Sequence, residues 1–470
     1  MTNPFKRVEA ADIACFRNIL GDERVRQDEE HLRRCASDHT EDFVFLPEVV
    51  LQPETAEEVS SILRYCQEQY ICITPRGAGT GLSGGALPVA GGVSLDMRRM
   101  NRLINIDTRN FQVTVEPGMI TQELAEAVRA EGLFYPPDPA SKGSCFIGGN
   151  VAENSGGPRA VKYGVVKDYV LNLEVVLPGG EIIWTGANVL KNATGYNLTQ
   201  LIVGSEGTLA VITKIVLRLI PAVQQDLLLL VPFRSAVEAC SAVNAIMLAG
   251  YTPSALEFME RDALECAINY YQSPAVNLPD DIQAHLLIEL DGNDREQLFR
   301  DAAAITELLQ TFDTGEVLFA DSAEQKQALW KLRRIVGEAV KGNSIYKEED
   351  TVVPRAALPE LLQIIKQLGR EYGFRSVCYG HAGDGNLHVN IVRGNMSDEA
   401  WNHQLPQGIR KLFEAVVRLG GTISGEHGIG LVQKPYLDIA FNRVQLDLMR
   451  QIKNVFDPKG ILNPGKIFDR

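Results

Sequence analysis

The 470-residue chain has no apolar run approaching the ~18 residues that a membrane span requires. Its most apolar short run, Leu227-Leu228-Leu229-Leu230-Val231, has the length of a strand and ends at Pro232. Basic residues are in deficit: 46 Lys and Arg stand against 60 Asp and Glu, a formal net charge of −14. Phosphate backbones reward clustered Lys and Arg, so no nucleic-acid partner is expected. The eight cysteines (15, 35, 66, 72, 145, 240, 266 and 378) include no C-x-x-C pair, which argues against an iron–sulfur cluster or a cysteine zinc knuckle. Thiols this scattered fit a reducing compartment, where they serve as small hydrophobes. The start, Met1 to Arg7, lacks the apolar core and small-residue cleavage site of a secretory leader. These absences predict a soluble cytoplasmic chain, and 45% hydrophobic with 23% charged residues is ordinary globular content.

Length predicts two to four domains at about 100–200 residues each. Charged residues at helical spacing over 12–34 predict an N-terminal helical arm, bounded at residues 1–42. Thr55 followed by Glu58 is a capping-box signature, opening a helix that ends near Gln69. A strand over 70–74 follows. From there to Pro221 short β-branched runs at 113–115, 173–177 and 210–216 alternate with glycine clusters, and one helix over 121–131 is closed by Gly132. This is a candidate cofactor domain over 43–221. Past it, a strand over 284–290 and amphipathic helices over 294–310 and 359–372 predict a second domain over 222–424. A C-terminal segment, 425–470, completes an α+β chain without internal repeats.

The glycine clusters carry the first chemical signal. Arg76-Gly77-Ala78-Gly79-Thr80-Gly81-Leu82-Ser83-Gly84-Gly85 contains a literal G-x-G-x-x-G at 79–84. That motif marks a dinucleotide site only when a helix follows directly. Here Pro88 and Gly91-Gly92 intervene before a strand over 93–95, so the Rossmann reading fails. What remains is a run of unobstructed backbone N–H groups able to cradle a diphosphate. A second cluster runs from Pro136 through Gly148-Gly149-Asn150 to Gly157, and a third is Gly204-Ser205-Glu206-Gly207-Thr208-Leu209. Small residues at Gly148, Gly149 and Ala152 let backbone approach a flat, extended cofactor.

The second signal is Gly380-His381-Ala382-Gly383-Asp384-Gly385-Asn386-Leu387-His388-Val389-Asn390. Asp384-Gly385 is a favoured two-residue hairpin turn, and with it His381 stands directly opposite His388. Opposed side chains share a face with Cβ atoms about 4.5–5.5 Å apart, which suits two imidazoles on one metal. Alternation places Asn390 on the His388 face, with Leu387, Val389 and Ile391 in the core. Ser424-Gly425-Glu426-His427-Gly428 offers a third ligand: in extended backbone Glu426 and His427 point to opposite sides, so Glu426 can complete a two-His, one-carboxylate site for zinc, manganese or iron.

The three glycine clusters resemble the FAD domain of the vanillyl-alcohol-oxidase-like flavoproteins, also called the PCMH type. The histidine motifs, with Leu462-Asn463-Pro464-Gly465-Lys466, resemble that superfamily's D-2-hydroxyacid dehydrogenase branch, from about Phe43 to Phe468. That branch includes D-lactate dehydrogenases, D-2-hydroxyglutarate dehydrogenases and the flavin subunit of glycolate oxidase. The resemblance implies FAD held by Arg76, Gly77, Gly79, Thr80, Gly81, Leu82, Ser83, Pro139, Ser144, Gly148, Gly149, Asn150, Ala152, Asn154, Glu206, Ile212 and Asn463. No histidine lies between residues 43 and 221, so a histidyl–flavin tether there is excluded and FAD is expected to be non-covalent; Cys145 reads as a buried small residue. The resemblance further implies a divalent metal on His381, His388 and Glu426, zinc first with manganese or iron as alternatives, and His427 as catalytic base. Trp330-Lys331-Leu332-Arg333 resembles the branch's Trp-x-x-Arg segment, with Arg333 on the substrate carboxylate; Lys347 and Asn390 match substrate-proximal positions. The implied reaction oxidises a D-2-hydroxyacid (D-lactate, glycolate or D-2-hydroxyglutarate) to the 2-oxoacid. Electrons then go to an electron-transfer flavoprotein, a separate iron–sulfur subunit or a quinone, which allows a peripheral membrane location and a homodimer. The alternative is a non-catalytic FAD-binding subunit of a larger oxidase.

Overall fold

The computed structural model describes residues 4–40, 43–271, 278–320 and 322–469. Met1 to Asn3, part of the expectation about a leader, and the predicted arm boundary at residue 42 lie outside them. The backbone separates into two compact units. One comprises Met1–Ser155, Val165–Ala222 and Glu426–Arg470, the other Gly156–Gly164 and Val223–Gly425. Among the described residues no helix is long and apolar enough to cross a membrane.

The first unit holds two main sheets. Strands Val49–Leu51, Val93–Asp96 and Ile73–Arg76 run parallel, and Val25–Arg26 adds an antiparallel edge. Helices Ala10–Leu20 and Ala56–Gln69 bury Phe16, Leu20, Val59, Ile62 and Leu63 in the core of this sheet. The predicted N-terminal helical arm packs onto this sheet, with Phe16 and Leu20 in its core. At Thr55 the predicted capping box forms by half. Thr55 accepts from the Glu58 amide at 3.2 Å, but the Glu58 carboxylate turns to Arg24 (2.7 and 2.8 Å) and to the Glu54 amide (2.8 Å). Tyr70 ends that helix in the left-handed region (φ 60°), so the following strand starts at Ile73 rather than at 70.

The second sheet of this unit has five antiparallel strands in the order Leu103–Asp107, Gln112–Val115, Val211–Arg218, Val170–Val176 and Ile182–Trp184. Helix Thr121–Ala130 lies where its spacing predicts, with Gly132 in the left-handed region (φ 73°). The Gly148-Gly149 segment, whose small residues suit close backbone approach, folds as the helix Ile147–Glu153.

The second unit is a seven-stranded antiparallel sheet. Its order is Leu318–Ala320, Gln225–Phe233, Ala284–Gly292, Ala255–Glu260, Arg375–Gly380, Asn386–Val392 and Tyr346–Val352. The strand predicted to stop at Pro232 runs through it to Phe233. Helices Arg261–Tyr271 and Ala323–Asn343 cover one face, burying Leu264, Ala267, Leu329 and Val336 with Met259, Leu287, Val377 and Tyr379. Ala236–Leu248, Arg295–Leu309, Leu358–Tyr372 and Leu405–Arg418 form a further helical set. The fold is α+β, as its alternation of strands and amphipathic helices implies.

Candidate functional site

In the second unit the chemistry collects on the sheet face beneath helix Ala323–Asn343. Cross-strand partners share a face. Tyr379 pairs with His388, Val377 with Asn390, Asp350 with His388 and Glu348 with Asn390, so these side chains line one surface. The hairpin register differs from the two-residue turn expected from Asp384-Gly385. His388 faces Tyr379 rather than His381, and five residues, 381–385, connect the strands. Gly385 sits at φ 88°, where an added Cβ would lie 1.9 Å from the Val353 carbonyl, so this loop packs directly against the backbone that follows strand Tyr346–Val352. His381 still arrives beside His388, their ring centroids 5.5 Å apart and nearly perpendicular.

Glu257, which the sequence reading did not single out, is the centre of this face. Fully buried, it meets His381 Nδ1 at 2.8 Å with one oxygen and Arg333 Nη2 at 2.7 Å with the other. Burial pushes its carboxyl pKa up, but His381 and Arg333 more than offset this and leave it below the usual value. A carboxylate on Nδ1 orients the ring and leaves Nε2 for a ligand, the arrangement seen behind metal-binding histidines. Arg333 is buried, its guanidinium carbon 5.0 Å from the Tyr379 ring centroid, and its Nε has no hydrogen-bond partner among the described residues. One turn earlier on the same helix, Trp330 Nε1 donates to Glu289 at 3.0 Å. Arg334 stacks near the Trp330 ring and Lys331 near the Tyr271 ring, so neither joins Arg333. Glu348 and Asp350 stand 3.6 and 3.9 Å from His388 Nδ1. Asn390 is fully buried beside Tyr379, and neither of its amide atoms meets hydrogen-bond geometry with a partner among the described residues.

Lys347 is not part of this cluster. It pairs with Ile391, so alternation turns it to the opposite face, where its Nζ lies 5.7 Å from the Trp401 ring centroid. That register sets Lys347, expected near the substrate, apart from the His388 face. Glu426 and His427 belong to the first unit, but the two residues before them are held in the second. Asp350 accepts from Ser424 Oγ at 2.9 Å and from the Gly425 amide at 2.8 Å. A Cβ on Gly425 would lie 2.4 Å from Asn386 Nδ2, so a side chain there would have to displace the Asn386 amide from Asp350.

In the first unit the three glycine clusters and the C-terminal segment converge. Gly77 and Gly149 face one another at 3.8 Å from a Cβ built on Gly77, and a Cβ on Gly81 or Gly149 would meet nothing within 4 Å. This open, side-chain-free surface suits an extended cofactor, with half-buried Thr80 and Leu82 in the same loop and Ala152 on the same helix as Gly149. Gly148 does different work, because its Cβ would strike Pro117 at 2.5 Å. Arg76 is a support rather than a lining group: buried beneath Gly79, it donates from Nη2 to the Arg34 and Ser37 carbonyls at 3.0 and 2.9 Å. Amides expected to contact a cofactor are likewise already used. Asn463 Nδ2 donates to the Gly85 and Glu206 carbonyls (3.0 and 2.7 Å), Asn150 Nδ2 to Thr121 Oγ1 (2.6 Å), and Asn154 Oδ1 accepts from the Lys167 amide (2.9 Å). Ser83 offers its carbonyl to Leu431 (2.7 Å), Ser144 Oγ donates to the Ser141 carbonyl (3.3 Å), and the Pro139 carbonyl accepts from Lys142 (2.9 Å). Ile212 is buried in its strand, and Cys145 is buried beside Thr121. Burial lowers the Lys466 ammonium to about 7 against the opposing pull of Glu206 and Asp38.

Comparison with known proteins matches residues 47–186 to an FAD binding domain family and residues 223–467 to the C-terminal domain of FAD linked oxidases. The glycolate oxidase subunit GlcD of Bacillus subtilis (strain 168) is 39% identical over 92% of this chain and 91% of its own length. A D-lactate dehydrogenase of Anaerostipes hadrus is 39% identical over 90% of this chain and 89% of its own. Among solved structures, p-cresol methylhydroxylase superposes with a TM-score of 0.80 at 18% identity, covering 97% of this chain and 96% of that one, a likeness of fold.

Proposed function

Because the chain belongs to the FAD-linked oxidases, a family of FAD-binding oxidoreductases, we propose that it oxidises a D-2-hydroxyacid to the 2-oxoacid. The substrate class is glycolate, D-lactate or D-2-hydroxyglutarate. The observation that carries this reading is the buried His381–Glu257–Arg333 constellation, with His388 and Asn390 on the same face. Arg333 anchors the substrate carboxylate, a task suited to a desolvated guanidinium with an unused Nε donor. His427 takes the hydroxyl proton, since imidazole titrates near neutrality. Asn390 orients the substrate through its unused amide. When bound, FAD supplies the acceptor for the C2 hydride.

His381, His388 and Glu426 form the proposed ligand set for a divalent ion. Two imidazoles and a carboxylate suit zinc, with manganese or iron as alternatives. In support, Glu257 presets the His381 tautomer, and Asp350 fixes Gly425, one peptide bond before Glu426. A bound ion supplies Lewis-acid polarisation of the substrate hydroxyl. The metal-holding reading predicts that Glu426→Gln lowers metal content, read by elemental analysis.

Reoxidation falls to an external acceptor: an electron-transfer flavoprotein, an iron–sulfur subunit or a quinone. The name "subunit" carried by one relative supports a separate polypeptide for this role. A cytoplasmic site peripheral to a membrane, and a homodimer, belong to the same proposal.

The test is anaerobic bleaching of the flavin absorbance by glycolate and by the D- and L-forms of lactate, malate and 2-hydroxyglutarate, each with and without chelator. Chelator-sensitive bleaching by D-acids (or by achiral glycolate) is expected. A yellow protein that no acid bleaches would favour the non-catalytic FAD-binding subunit.

A further inference from the structure

Within the first unit one acidic side chain is bound into the backbone that carries His427. Glu206 is 5% exposed and left-handed (φ 53°), a conformation that costs a non-glycine residue about 1 kcal/mol or more and persists only where surroundings impose it. They do so here: its amide donates to the Ala152 carbonyl at 2.8 Å, and its carbonyl accepts from Asn463 Nδ2 at 2.7 Å. The twist aims the carboxylate at the C-terminal segment. Oε1 accepts from the Ile429 amide at 2.8 Å and Oε2 from the Gly430 amide at 2.7 Å. Charge-assisted bonds of this kind are roughly twice as strong as neutral ones.

The same stretch is pinned on two other sides. Gly428 (φ 84°) has no room for a side chain, since its Cβ would lie 2.3 Å from Glu153 Oε2. Gly430 (φ 47°) would strike the Ser83 carbonyl at 2.1 Å, and that carbonyl accepts from the Leu431 amide at 2.7 Å. Burial and the neighbouring Glu206 push the Glu153 carboxyl well above the usual range, which favours its neutral form beside Glu206. Both Glu206 oxygens already take backbone N–H groups, and these bonds, with Lys466, oppose the burial that pushes its carboxyl above the usual range.

We propose that Glu206 is a positioning residue for His427: its carboxylate clamps the Ile429 and Gly430 amides and so fixes, two residues upstream, the side chain that acts as base. This rests on the reading of His427 as the base. It replaces the cofactor-contact role that the family resemblance implied for the Glu206 side chain. A base misplaced by about 1 Å can lose ~100-fold in rate, so a clamp two residues away has leverage on turnover without touching substrate.

The test uses the FAD-loaded full chain and Glu206→Gln, which keeps the shape but sets an NH2 against one of the two amides. Expected are an FAD dissociation constant and KM within about threefold of wild type. The anaerobic flavin-reduction rate should fall about 10–100-fold. Amide hydrogen exchange over 428–431 should accelerate at least tenfold, a readout independent of turnover. Combined with His427→Asn, the loss should be non-additive. Glu206→Asp serves if the Gln variant does not fold, and should show the same pattern in milder form. Unchanged exchange at 428–431, or wild-type reduction rates in Glu206→Gln, would overturn the proposal. So would loss of activity in proportion to lost FAD, which would make Glu206 a cofactor ligand. Full activity in His427→Asn would instead remove the base reading, whatever Glu206→Gln does.

Discussion

Glu257→Gln is the perturbation that most directly probes the second unit. The wild-type carboxylate is 0% exposed and compensates Arg333, itself only 6% exposed, while accepting from His381 Nδ1. Glutamine keeps the volume, but its NH2 must face one of two groups that are themselves donors. Removing one partner of a buried ion pair costs ~3–5 kcal/mol, because the other charge stays buried. The second unit has about 210 residues, a size at which each kcal/mol moves the midpoint by ~2–4 °C. The expected drop is therefore ~6–20 °C. Trp330 and Trp401 both lie in this unit, so tryptophan fluorescence can follow its melting. Because Glu257 also presets the His381 tautomer, metal affinity should fall ~10–100-fold in parallel. A midpoint within 2 °C of wild type, together with unchanged metal content, would refute both the ion-pair accounting and the role of Glu257 behind His381.

The two helical glycines of the first unit should separate packing from cofactor binding. Gly148→Ala drives a methyl to 2.5 Å from Pro117 and should cost ~1–3 kcal/mol by thermal melting. Gly149→Ala meets open space and should leave the melting point unchanged or higher, yet weaken FAD at least tenfold in fluorescence titration; equal FAD affinity would show that this surface is not the cradle. His285 gives a pH test. Burial lowers its pKa from 6.5 to about 4, so the unfolded chain binds its proton first: the stability it supports is complete above pH 6.5 and is lost as pH falls toward 4. Denaturant titrations should show His285→Leu losing ~3 kcal/mol less than wild type between pH 7 and pH 4, and parallel profiles would contradict this.

Local chemistry made much of this molecule legible. Asp294 caps its helix through the Gln297 amide (3.1 Å), Gly373 closes the helix begun at Leu358, and the absence of a helix after Gly85 correctly removes the Rossmann reading. These outcomes depend on neighbours within a few residues, which a sequence displays directly. Glu257 did not stand out because its partner His381 is 124 residues away, and nothing near Glu257 marks it as different from any strand glutamate. The same holds for Asp350, whose bonds to Ser424 and Gly425 span more than 70 positions.

The sequence alone determined the α+β class, the three glycine clusters and the residue types available for hydride-transfer chemistry, because composition, capping and glycine freedom act locally. Tertiary structure decided which of those residues meet. A loop of five residues rather than two set the partner of His388, and one step of strand alternation carried Lys347 to the far face. A shift of register changes no residue and no propensity, yet it reassigns every side chain to its face.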